Sequence, residues 1–231
     1  MRVGSRWHTH LAPKGRGSSR CQDKTAGAWL WQNFHYTPWE PTESEYHGTS
    51  LMAAAVGKAP DNYRDNTKIA GNLAALSGYL SSHYAAQPLL NKIVALWAAH
   101  WFLNVMTVAE RRQLLADLYQ RQRGDGGWSL TDPGTWEHVD RSPLETRPDG
   151  YATGLTVLVP EEAVGKDPQL KTQAEAHCAR GIRWRIANQY KTTGAWPARS
   201  LNKSRAPETN VGKSVSDAAM SYAVLALEAR R

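Results

Sequence analysis

Two cysteines, two phenylalanines and four methionines are all that 231 residues contain of these types. Cys21 and Cys178 stand alone, with no CxxC pair, so a disulfide framework and a zinc ribbon are both excluded as organising devices. No run of 18 apolar residues occurs, and residues 1–20 hold no apolar signal-peptide segment. No membrane span is therefore expected, and the expected location is cytoplasmic or peripheral to a membrane. No stretch alternates apolar and polar residues over the length of a strand, so a sheet is not expected either. The phosphate-binding loop, the dinucleotide fingerprint and the nucleophile elbow are missing, and no cofactor is expected. His8-Thr9-His10 is the nearest approach to a metal pair, and it sits in a basic arm, so no metal is expected.

Charge is unevenly placed. Residues 1–24 carry Arg2, Arg6, Lys14, Arg16, Arg20 and Lys24 against Asp23, which accounts for most of the net +7. The arm holds one Trp and no aromatic interleaving, so nucleic-acid binding is not expected. Residues 1–21 read as a solvated, disordered basic arm, and residues 22–231 as one folded domain.

Tryptophan is what the chain has in excess, with ten residues. Three of them end a repeated pattern of Gln, three or four residues, Gly, any residue, Trp. The copies are Gln22…Gly27-Ala28-Trp29, Gln122…Gly126-Gly127-Trp128 and Gln189…Gly194-Ala195-Trp196. An acid follows each Trp: Glu45, Asp149 and Asp217. Each acid is expected to open a buried helix rich in Ala, Gly and Leu, its carboxylate capping free N–H groups. Thr67–Tyr84, Thr107–Arg123 and Pro168–Asn188 are expected to be amphipathic helices, with Thr107 and Asp167 as caps, and Pro88–Leu103 a buried one. Four buried helices thus alternate with three amphipathic ones, as in hairpins stacked in a ring or solenoid. Residues 129–148 and 197–213 read as long connections.

The Gln-Gly-Trp segments resemble the repeat of squalene-hopene and oxidosqualene cyclases, across about residues 22–229. The third copy also shows the basic residue, Gly and aromatic upstream, in Arg180-Gly181 and Trp184, and departs at Arg185, where that family prefers an aliphatic residue. The resemblance implies an all-α fold, an α/α toroid of inner and outer helices, here an incomplete ring. It implies structural roles for Gln22, Gly27, Trp29, Gln122, Gly126, Trp128, Gln189, Gly194 and Trp196. It also implies a polyprenyl substrate such as squalene. The family's Asp-Xaa-Asp-Asp acid motif is absent. Val215-Ser216-Asp217 is similar to the oxidosqualene-cyclase form and makes Asp217 the candidate catalytic acid, but Ala218 and Ala219 depart from that form. A lone Asp capping a helix is expected to have its pKa lowered, the opposite of what an alkene-protonating acid needs. The zinc site of the related protein prenyltransferases is not expected, because no Asp-Xaa-Cys segment exists. Two functions remain: a terpenoid cyclase-like enzyme, or a non-catalytic toroid holding an apolar isoprenoid-like ligand or a protein partner. Peripheral membrane contact and self-association are both compatible with an apolar terminal helix left uncovered.

Overall fold

The computed structural model describes residues 22–228 apart from 24, 39, 42, 43, 135 and 165–167. The basic arm with His8, His10 and Cys21, and the Asp167 cap, lie outside the described residues.

The described chain is all-helical. Its helices are α1 (Glu45–Lys58), α2 (Ala70–His83), α3 (Leu89–Trp101), α4 (Val108–Gln120), α5 (Gly150–Ala163), α6 (Pro168–Asn188) and α7 (Asn210–Glu228). Short 3-10 turns precede α2 and follow α3. Two isolated bridges, Tyr36 to Glu40 and Ser129 to Pro148, are the only extended pairings among the described residues. No described helix is long and apolar enough to cross a membrane.

Packing separates the helices into two sets. α1 packs on α3, α3 on α5 and α5 on α7, while α2, α4 and α6 lie against α1, α3 and α5 in turn. Composition explains the division. α5 is apolar nearly all round and is covered by α3, α6 and α7, so twelve of its fourteen residues are buried. Close approach needs small residues: a Cβ added to Gly154 would lie 2.9 Å from the Tyr222 Cβ on α7. α4 is different, with one buried stripe of Leu114, Leu115, Leu118 and Tyr119.

α7 departs from its buried counterparts. It packs on α5, and only Gly212, Ala219, Ala223 and Ala226 are buried, one face of the helix. Val211, Val224, Leu225 and Leu227 are exposed. The helix also starts earlier than the sequence suggests. Thr209 supplies the cap, its hydroxyl accepting from Gly212 N at 3.1 Å. Asp217 is therefore the eighth residue of α7, exposed, and caps nothing. A hydroxyl caps as well as a carboxylate, and Lys213 and Ser214 are tolerated at exposed positions of the first two turns, so spacing alone pointed past the true start.

The other caps vary. Thr107 and Glu110 form a capping box at α4. Asp149 caps α5 through Tyr151 N at 2.8 Å and Ala152 N at 3.2 Å. Glu45 is the first helical residue of α1 rather than its cap, and the Ser44 hydroxyl before it donates to Gln32 O instead.

Candidate functional site

The three Gln-Gly-Trp copies form corners between helices. In the first, Gln22 Nε2 donates to Gly27 O at 2.8 Å and to Asn72 O of α2 at 2.9 Å, and Gln22 Oε1 accepts from Asn72 Nδ2. In the second, Gln122 Nε2 donates to Gly126 O at 2.8 Å and to His177 O of α6 at 2.9 Å. His177 Nδ1 returns a bond to Gln122 Oε1 at 2.6 Å. The amide thus closes its own turn and holds a later helix. In the third corner Gln189 Nε2 donates to Gly194 O at 2.8 Å, and among the described residues the amide bonds to no later helix.

Each Gly turns with positive φ, +79° at Gly27, +98° at Gly126 and +71° at Gly194. The first two also meet a helix. A Cβ would lie 2.2 Å from Ala75 O at Gly27 and 2.7 Å from Arg180 O at Gly126, whereas at Gly194 the nearest atom is Gln189 Nε2 at 3.8 Å. The tryptophans look back instead. Trp128 Nε1 donates to Leu118 O and Trp196 Nε1 to Arg185 O, each on the helix that precedes its corner. Trp128 and Trp196 are buried, and Trp29 is half-buried.

The three acids do not converge. Asp217 is exposed on α7, and Glu45 lines a cleft at the start of α1. Asp149 is buried, and its carboxylate takes three backbone N–H bonds, the third from Arg199 at 2.8 Å. Burial outweighs those bonds and raises its pKa to about 6. The lowering expected of a helix-capping Asp is therefore reversed here, because the cap is sealed from water.

A cleft of about 740 Å³ opens where Thr37, Pro38, Pro41 and Glu45, the end of α2, the start of α3, and Pro133, Gly134 and Trp136 meet. Thr37 Oγ1 donates to Glu137 O at 3.2 Å and joins two of these walls. Trp136 is anchored by its Nε1, which donates to Leu201 O. The Tyr79 ring lies 4.4 Å from His83, tilted by 31°, and 6.1 Å from Tyr46. A polar chain runs inward from this wall to His47. Buried His47 shares Nδ1 with Asn91 Oδ1 at 3.3 Å, Asn91 Nδ2 donates to Gln87 Oε1, and Gln87 Nε2 donates to His83 O. Burial lowers the His47 pKa to about 4, so this chain is neutral at physiological pH. Glu45 is the one acidic residue and no Lys or Arg is found among the described residues lining the cleft.

A second, more polar recess of about 570 Å³ lies between α2 and the turn after α3, with Arg64 over the Trp101 ring. No group of three His, Cys, Asp or Glu able to hold a metal exists among the described residues. The sequence reading missed the first cleft except for Glu45. Its walls come from segments far apart in the chain, and only Trp136, a large aromatic in a polar loop, offered a signal.

No protein-family model matches this chain, and no curated protein or solved structure matches it.

Proposed function

We propose that the protein is a non-catalytic helical-repeat binding protein of the squalene-cyclase-like α/α-toroid kind, and that its aromatic cleft holds an apolar, isoprenoid-like ligand. The kinship rests on the three Gln-Gly-Trp corners and on the alternation of two helix sets. The exposed Val211, Val224, Leu225 and Leu227 of α7 are what an incomplete ring would leave uncovered.

The cleft carries the functional reading. Tyr79, Trp136 and Pro88 offer apolar surface, and half-buried Gln87 offers a polar group that fixes orientation. Glu45 sets the sign: a carboxylate with no cation among the described lining residues disfavours a diphosphate and accepts a hydroxyl. Catalysis by polyene protonation needs a protonated acid in a dry pocket, facing the substrate. Asp149 has the raised pKa, but its oxygens are engaged by three backbone N–H groups at the start of α5. Asp217 is in water.

Titrations of the protein with farnesol and with farnesyl diphosphate, read by tryptophan fluorescence, test this. Farnesol should bind at least tenfold tighter, and Glu45→Gln should narrow the gap. Equal binding by a Trp136→Ala, Tyr79→Ala double variant would remove the cleft from the argument. Cyclic products from squalene, found by mass spectrometry, would restore the cyclase reading.

A further inference from the structure

The first two corners close on a helix that comes later in the chain, and they do so in one register. Gln22 takes the carbonyl of Asn72, and Gly27 passes under the carbonyl of Ala75, three residues on. Gln122 takes the carbonyl of His177, and Gly126 passes under that of Arg180, again three residues on. Each received helix also presents a side-chain N–H to the Gln oxygen, from Asn72 or His177. The third corner has the same Gln-to-Gly hydrogen bond and the same positive φ at its Gly, with that place empty among the described residues.

The surroundings of the third corner match those of the second, with the cover removed. Tyr119 stands three residues before Gln122 and stacks on His177 at 4.2 Å. Ile186 stands three residues before Gln189 and is 58% exposed. Val157 on α5 packs against Gly181 of the received helix and is fully buried. Leu225 on α7, the same number of residues after its corner Trp, is exposed. The apolar contacts that one helix makes in the second repeat are thus available, unfilled, in the third.

The charge differs. In the second corner Asp125 accepts from Trp184 Nε1, and Arg180 donates to the Arg123 and Gly124 carbonyls. The third loop, Tyr190 to Thr193, has no acid and carries Lys191, with Arg183 exposed nearby on α6. A helix seated there meets positive charge where Arg180 meets two backbone carbonyls.

We infer that the Gln189–Gly194 corner, with Ile186 and Leu225, is a docking site for an α-helix of a partner protein. That helix carries Asn or His at the position facing Gln189, an acidic residue three positions on, and an apolar stripe over Ile186 and Leu225. The interface continues the one already made twice within the chain.

The chain's own α2 supplies a probe, because it carries Asn72 and Ala75 in the required register. Fluorescence anisotropy of the full-length protein with a labelled peptide of residues 66–84 is compared for three versions: unchanged, Ala75→Glu and Ala75→Arg. The expected order of affinity is Glu, then Ala, then Arg. Gln189→Ala in the protein should weaken the Glu version at least tenfold, as two lost hydrogen bonds require, while Gln22→Ala should leave it unchanged. No binding by any version, or equal weakening by Gln22→Ala, overturns the proposal. Light scattering on the protein alone supplies a further arm: a dimer abolished by Gln189→Ala would mean that a second copy fills the corner, and would overturn the partner helix. Each arm is independent of ligand binding in the cleft.

Discussion

Gln122 and His177 hold one another by two bonds at once, the Gln amide donating to the His carbonyl at 2.9 Å and the His ring donating to the Gln oxygen at 2.6 Å. Gln189 occupies the same place in the next repeat with neither bond. Gln122→Ala should therefore cost about 2 kcal/mol, at roughly 1 kcal/mol for each cross-helix bond. Gln189→Ala should cost under about 1 kcal/mol. Urea unfolding midpoints of the two variants check the difference, and equal losses would show that the bonds across to α6 contribute little.

The tryptophans should rank by cover. Trp128 is 1% exposed, Trp196 6%, and Trp29 is half-buried. Trp128→Ala should cost about 3–5 kcal/mol, as large core truncations do. Trp196→Ala should fall at the low end of that range, and Trp29→Ala below it. Thermal midpoints give the order, and a loss below about 1 kcal/mol at Trp128 would remove its structural role.

Two buried titratable groups, Asp149 and His47, oppose each other in pH. Asp149 has its folded pKa raised from 3.8 to about 6, so the stability it contributes is full below pH 3.8 and is lost as pH rises through 6. His47 has its folded pKa lowered from 6.5 to about 4, so its contribution is full above pH 6.5 and is lost as pH falls through 4. Each span corresponds to roughly 3 kcal/mol at most. From pH 4 to 6 the pair nearly cancels in the native protein. Asp149→Asn should expose the His47 slope, with stability rising with pH, and His47→Gln should expose the reverse. Unfolding free energies measured at pH 4, 5 and 6 read both signs, and parallel curves for the two variants would contradict the assignment.

The bare side of α7 should accept charge. Val224 is exposed and Ala223, its neighbour, is fully buried against Trp184 and Trp196. Val224→Lys should change stability by less than about 0.5 kcal/mol and reduce binding of a hydrophobic dye. Ala223→Lys should cost several-fold more, since it forces a long charged chain into packed rings. Unchanged dye binding in Val224→Lys would place the apolar surface elsewhere.

Sequence periodicity located the helices well where one face or all faces were apolar. Pro88–Leu103 became Leu89–Trp101, and Thr107 emerged as the cap of α4. It failed at α7, where the Thr209 cap and the exposed Asn210 and Lys213 of the first turn hid the start, and at Asp217, which looked like Asp149 by spacing alone. Spacing cannot tell a sealed cap from an exposed mid-helix residue, because that depends on which chain covers it. Arg199, whose N–H reaches Asp149 across 50 residues, does the covering. The cleft was less legible still. Thr37, Tyr79, Asn91 and Trp136 belong to no common motif, and only packing brings them together. Arg185 shows a further limit. It takes the place of Leu118 four residues before the corner Gln, is buried, and lies 5.1 Å from the Trp196 ring, with two of its nitrogens unbonded among the described residues.

Every completed corner grips forward. Gln22 reaches a helix 50 residues ahead and Gln122 one 55 residues ahead. On a ribosome adding roughly 5–20 residues per second, each corner therefore emerges roughly 3–10 s before its helix. The nascent chain must carry an open amide and an uncovered tryptophan through every such interval. Assembly is a succession of short waits, each ended by the helix still to come, and the array is at every stage one grip behind its own synthesis.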